Sequence, residues 1–574
     1  MSQDTSTIQA ATSTTETVGT VDDFPQGGMK LATVGGRRVA VIRTPSGLHA
    51  LDNACPHQGY GLVTGALDGE LVTCQWHNWK FDVRDGSCVM GEEGVACHQV
   101  TVTDDDTVQV TVVEPTIEER REALWPSFRK GMKRQYNGQI ARDTARLLEA
   151  EATPAEIMGD AVAYGAPRNE WGIGHEMAMA TDCLAWSEIT TGSEQALPLI
   201  QGLSGIAETT RDRRVREVPS PDADADFLAA IEGEDTDIAM AAVLGSIERG
   251  DDPSVLRDLF ITAASTHHLD YGHGMIYVQK AFEMLERIGW DRAPDLLPHL
   301  AISIGWGTRE DLLPYMRKAM RKIEAVDLDA LAVAEDRRTT GWWDDAFVDT
   351  MLTSEEAAID EAVRAVQDGA GVAGLLDAVT VGASKRLLRH DLDVEFDLSN
   401  DFGWLDITHA LTLSNAVRWA WNAAPGPDTA RAALFAAWLL FDSGRAERRF
   451  GITEIEPETT GSSTEDFTKA VRMGRVDEAL GWVHGAGIAT ATGALRDAAL
   501  ADQSGSFIVT AHVIKLAHAA AEEAAVLADT APDIAHAPLL ATTRFVAAPR
   551  LERFVTRNVN ESLEFLRTGA PPKR

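Results

Sequence analysis

Two short groups of metal-ligating side chains, Cys55-Pro-His57 and Cys74-Gln-Trp-His77, stand sixteen residues apart near the start of the chain. Two thiolates and two imidazoles at this spacing make one metal site, and the fold around them must bring both groups together. The flanking sequence suits that demand. Residues 37–44, 47–53, 70–76 and 107–113 alternate apolar and polar side chains with period two, and Gly- and Asp-rich turns separate them. The pattern predicts a small antiparallel β domain. After Glu114-Pro115 the texture changes to Ala-, Leu- and Glu-rich sequence with apolar residues three and four apart. The rest of the chain therefore reads as almost wholly α-helical.

Length and charge narrow the possibilities further. A chain of 574 residues exceeds what one core normally supports, so several domains are expected. A formal charge of −36 argues against nucleic acid or an anionic membrane as the main partner. Five cysteines cannot build a disulfide framework and fit a reducing, cytoplasmic setting. Residues 1–22 are Ser/Thr-rich without an apolar run and read as a disordered leader, not a signal peptide. No stretch is long and apolar enough to suggest a membrane span.

On donor chemistry alone the Cys/His set admits structural zinc or a mixed-ligand iron–sulfur cluster. The surrounding residues, with Gly59 closing the first loop and Trp76-His77, Phe81-Asp82 and Asp85-Gly86 in and after the second, resemble a Rieske [2Fe–2S] domain. The resemblance implies that Cys55 and Cys74 hold one iron and His57 and His77 the other. It also implies the ferredoxin and oxygenase type, because neither loop has the spare cysteine of the high-potential respiratory domains. Cys88 and Cys97 lie downstream and read as buried small hydrophobes. The resemblance covers about a sixth of the chain, and the expected domain runs from 23 to 115.

The helical remainder carries an internal echo. Sequence 145–166 resembles 363–384, and 226–245 resembles 466–485. His175 and Trp186 recur as His409 and Trp419, and His273 and Glu283 recur as His512 and Glu522. These matches predict two pseudo-symmetric helical repeats, 117–345 and 346–574, with an insertion at 385–401. Residues shared by two such halves converge near a pseudo-two-fold axis, where helical bundles can hold metals. His175, His273, His409 and His512 are thus candidate ligands of one or two ions. The alternative is four core or capping histidines satisfied by backbone carbonyls. If residues 266–273 are helical, Asp270 shares a face with His273 and supplies an oxygen ligand. His273, Asp270 and His512 are then the expected catalytic groups. His268 and His273 have the His-x4-His spacing of Rieske oxygenase large subunits, but the acid that precedes that motif is absent, with Ser265 in its place. Glu283 is too far along a continuous helix to join His273 on one ion, whereas His518 and Glu522 are one turn apart and can share a partner.

A Rieske cluster joined to a large domain implies electron delivery to that domain's chemistry. The expectation is an oxidoreductase, a non-haem iron oxygenase or oxidase acting on a small organic substrate and O2. No Gly-x-Gly-x-x-Gly fingerprint follows a strand, so an external reductase or ferredoxin is the expected donor. The competing expectation is an electron-transfer or redox-sensing Rieske protein on a helical scaffold with no second metal.

Overall fold

The structure, a computed structural model, describes residues 12–339, 341–397, 402–453, 455–459, 463–502, 504–550 and 555–569. The chain divides into two compact units, Met1–Thr153 and Pro154–Arg574.

The first unit is built from ten strands. They are β1 (Thr12–Thr20), β2 (Met29–Val34), β3 (Arg37–Thr44), β4 (Gly47–Asp52), β5 (Ala66–Asp68), β6 (Leu71–Thr73), β7 (Lys80–Asp82), β8 (Cys88–Met90), β9 (Cys97–Val102) and β10 (Thr107–Glu114). A six-stranded sheet runs β1-β10-β9-β4-β3-β2, and a four-stranded sheet runs β5-β6-β7-β8. Strand β3 shows why the sequence alternates as it does. Val39 and Val41 fill a core with Phe24, Val108 and Val110, while Ala40 and Ile42 face a second core with Leu51, Leu62, Val72 and Phe81. Cys55 and Cys74 belong to that second core, so the metal-ligating loops are anchored in packed apolar side chains.

Two expectations are corrected here. Residues 1–22 were read as a disordered leader, yet Thr12–Thr20 pairs antiparallel with β10 along its length. Its Ser/Thr run is β-prone, and one polar face of an edge strand needs no apolar pattern. Residues 1–11 lie outside the described residues. The β unit also extends beyond residue 115. It takes in two helices, α1 (Ile117–Arg134) and α2 (Asn137–Glu149), that composition assigns to the helical repeats. Thr116 and Glu119 start α1 with a capping box, and Gln135 ends it in the left-handed conformation. Ion pairs fasten this hairpin to the β8–β9 loop. Glu93 accepts from both Arg142 and Arg146, and Arg134 pairs with Glu92 at 2.7 Å. Cys97 is corrected as well: it is exposed on β9, whereas Cys88 is half-buried against the second core.

The second unit is helical among its described residues. Four of its helices matter for the site: His175–Glu188, His273–Ile288, Trp404–Ala423 and Phe507–Thr530. Each packs against two of the others in a closed ring. Their buried faces carry polar groups as well as apolar ones, among them Gln279, Asn415 and the Arg418–Glu523 ion pair at 2.9 Å. No helix among the described residues is long and apolar enough to cross a membrane. Part of the insertion at 385–401 continues the helix Gly371–Leu388, and residues 398–401 lie outside the described residues.

Candidate functional site

In the β unit the first ligand loop leaves β4 and closes on itself. The Cys55 amide donates to the Tyr60 carbonyl at 2.8 Å, and the Gly59 amide donates to the Cys55 carbonyl at 2.8 Å. Gly59 has φ of +77°, a turn geometry that a side chain would strain. The second loop joins β6 to β7 and closes through the Cys74 amide to the Trp79 carbonyl, also 2.8 Å. These loops place the Cys55 and Cys74 thiols side by side and buried, with His57 half-buried and His77 exposed. The two imidazoles meet edge to face at 4.3 Å between ring centres, and Trp79 stacks on His57 at 4.9 Å. Arg142 of α2 lies over the Trp79 ring, so the helical hairpin extends the packing around His57. Burial pushes the Cys55 thiol up to about 11, and the neighbouring Cys74 adds to the shift. Burial and the His77 charge lower His57. Buried thiols inside and neutral imidazoles outside are the donor set of a mixed-ligand [2Fe–2S] cluster, and the four residues fit it.

The helical unit holds a second constellation. Ligand atoms of His175, His273, His409 and His512 all lie within 4.8 Å of one another, although these residues come from four separate helices. The Nε2 atoms of His175 and His273 are 3.1 Å apart, those of His273 and His409 2.9 Å, and those of His409 and His512 3.4 Å. The opposite ring nitrogens show what these contacts are. Nδ1 of His273 faces the Asp270 carbonyl, Nδ1 of His409 the Asp406 carbonyl at 3.2 Å, and Nδ1 of His512 the Ile508 carbonyl at 2.7 Å. A carbonyl only accepts, so each of these Nδ1 atoms carries a proton. Burial holds His273 down to about 3, and His175, His409 and His512 well below their ordinary range. The rings are therefore neutral, and a neutral ring protonated on Nδ1 has a bare lone pair on Nε2. Between His273 and His409, and between His409 and His512, lone pair meets lone pair with no proton to share. Such contacts repel unless a cation lies among them. Two imidazole nitrogens each about 2.1 Å from one ion are separated by about 3 to 3.5 Å when adjacent, which is the spacing of the three neighbouring pairs here. The backbone carbonyls, and Tyr277 Oη at 3.1 Å from His175 Nδ1, are the orienting partners that such ligands require.

Asp270 is not part of this group. Its carboxylate accepts from the Thr308 amide at 2.7 Å. The helix assumed through 266–273 is interrupted, because the preceding helix ends at Thr266, and Asp270, Tyr271 and Gly272 all have positive φ. What Asp270 contributes to the site is its carbonyl, which orients His273. His268 is likewise elsewhere, packed on Phe435 and Trp438. Glu176 is not part of the group either and accepts from the Asn169 side chain and the Gly174 amide, both at 2.8 Å. His518 and Glu522 do share a partner, which is each other, at 3.3 Å.

Sequence reasoning missed two lysines. Lys280 is buried and paired with Asp182 at 2.8 Å and with Glu283 at 2.9 Å. Lys515, one turn beyond His512, is 2 % exposed, and burial pushes it down to about 7. The available signal was a lone lysine in the apolar run of residues 513–521, in register with His512 and His518. A cavity of about 460 Å³ reaches the centre at His175, and Glu176, Tyr277, Trp171, Trp306 and Phe507 are among its lining residues.

The first unit's fold and its Cys/His loops define a mixed-ligand iron–sulfur domain with an electron-transfer role. Residues 14–112 match the Rieske [2Fe-2S] domain family. Over 68 residues the chain is 41% identical to the ferredoxin component of an alkene monooxygenase system from Xanthobacter autotrophicus, covering 12% of this chain and 55% of that protein. Over 69 residues it is 30% identical to a ferredoxin component of naphthalene 1,2-dioxygenase/salicylate 5-hydroxylase systems from a Ralstonia species, covering 12% of this chain and 66% of that protein. Oxidoreductase NdmD of Pseudomonas putida is 36% identical over 72 residues, 12% of either chain. Among solved structures, the ferredoxin of carbazole 1,9a-dioxygenase from Nocardioides aromaticivorans is 28% identical, covering 17% of this chain and 96% of that one with a TM-score of 0.16. All these likenesses fall in the β unit.

Proposed function

We propose that the protein is a Rieske-dependent oxidoreductase in which electrons received at the β unit are used at a four-histidine non-haem iron centre in the helical unit. One observation carries the reading: the facing Nε2 atoms of His273, His409 and His512 have no proton to share, an arrangement that a cation stabilises and that its absence leaves repulsive. His175, His273, His409 and His512 would hold the ion. An all-imidazole donor set suits iron, copper, nickel or zinc. The Rieske domain favours iron, which supplies one-electron chemistry with O2 when bound.

The chain's own residues define the rest. Three carbonyls and Tyr277 fix the rings, which keeps the donor atoms in place without a charged ligand. The cavity lined by Trp171, Trp306 and Phe507, with Asn169, Glu176 and Arg213 beside them, gives a small organic substrate access to the His175 side. The two-fold echo of the sequence accounts for four histidines arriving on four helices, as one pair duplicated. An external reductase or ferredoxin is the proposed donor, since two of the relatives are ferredoxin components of oxygenase systems.

The test is anaerobic reduction by dithionite followed by mixing with O2, with cluster absorbance as the readout. The wild type should reoxidise much faster than His409→Ala. Equal rates in both proteins, each carrying a full cluster, would sink the electron-transfer reading.

A further inference from the structure

Lys515 is the least explained charge in the molecule. Its Nζ is buried and has no hydrogen-bond partner among the described residues. Lysine is almost never fully buried unless paired, because an unpaired buried ammonium is costly. The acids near it are already engaged. Asp182 pairs with Lys280 and faces His518 Nε2 at 3.7 Å. Glu176 accepts from Asn169 and Gly174. Yet Lys515 sits on the same face of its helix as His512, three residues away.

The ligands bring a complementary deficit. Four neutral imidazoles offset none of an ion's charge, and Asp270, the carboxylate expected to do so, is held by the Thr308 amide. A divalent ion and an ammonium in one buried region would repel each other with no anion between them. We propose that Lys515 is the anchor for a small anion that also binds the ion held by the four histidines, so that the centre takes a carboxylate or a comparable inorganic anion as ligand. The inference rests on the metal reading above and deepens it. It assigns the substrate, or a co-ligand, an anionic group with a lone-pair donor. Lys515 acts here as a binding residue, through a charge-assisted hydrogen bond.

The probes are azide and acetate, added to the full-length, iron-loaded protein and followed by difference absorption, with iron and sulfide measured on the same samples. The variants are Lys515→Met, which removes the charge at similar volume, and Lys515→Gln, which keeps a donor without the charge. The expected result is unchanged iron in both variants with affinity for both anions lowered by about tenfold to a hundredfold. Lys515→Met should also melt at a higher temperature, since an unpaired buried charge is gone. Unchanged anion affinity in Lys515→Met, or full affinity in Lys515→Gln, would overturn the proposal. Loss of iron in Lys515→Met alone would make the amine itself a ligand and overturn it too. If the wild type holds only cluster iron, the metal reading fails, and this inference falls with it.

Discussion

The two candidate metal-ligand sets of this chain are built on opposite plans. The Cys55/His57/Cys74/His77 set comes from two hairpin loops close in sequence, each closed by its own backbone hydrogen bonds. The His175/His273/His409/His512 set comes from four helices, with one ligand from each, and no ligand pair is local. The loop site needs glycine and tight turns, and its imidazoles face outward where a redox partner can reach them. The helical site needs only correct packing of four helices, and its ligands are oriented by three carbonyls one turn away and by the Tyr277 hydroxyl. A loop site advertises itself as a motif. A helix-core site shows itself only through periodicity and repetition.

The difference can be broken experimentally, beginning with the largest effect. Cys74→Ser should abolish the cluster, with loss of acid-labile sulfide, and leave the histidine-bound iron in place. His409→Ala should do the reverse. Metal analysis of the two variants checks this, and loss of all iron in either one would mean that the sites are not independent. A smaller effect is expected at the join of the β unit and its helical hairpin. Glu93→Ala leaves Arg142 and Arg146 without their shared acid, Arg146 being partly solvated, and should destabilise the unit by about 2 to 3 kcal/mol in denaturant unfolding followed at the cluster. A change below the error of the extrapolation would show that the hairpin is not held by this acid.

The smallest effect concerns pH. Burial pushes the Glu522 carboxyl up, but the hydrogen bond with His518 and the charge of Lys280 outweigh it and bring the group down to about 2, from an ordinary 4.5. Its folded value lies below its unfolded one. Its contribution is therefore complete above about pH 4.5 and is lost as pH falls towards 2. Melting curves of wild type and Glu522→Gln should differ most near neutral pH and converge in acid. A gap that stays constant with pH would contradict the assignment.

Much of this plan is legible in the sequence, and the failures have physical causes. The β domain and its ligands follow from period-two alternation and local spacing. The four histidines stand out because they recur in the sequence echo. The reach of the β unit beyond residue 115 does not, because it depends on ion pairs between Glu93 and arginines about fifty residues away. Asp270 does not share a face with His273, because positive φ at Asp270-Tyr271-Gly272 breaks the helix, and no sequence pattern there marks the break. Lys515 is hidden in the sequence because its helical register is that of a core residue, and only the structure shows that its Nζ has no hydrogen-bond partner among the described residues.

The central claim is that a second metal centre exists in the helical unit. The ratio of iron to acid-labile sulfide in the purified wild type tests it most directly. The account predicts about three iron for every two sulfides, with the excess lost in His409→Ala. A ratio of about one, unchanged by that substitution and by added ferrous iron, would contradict it.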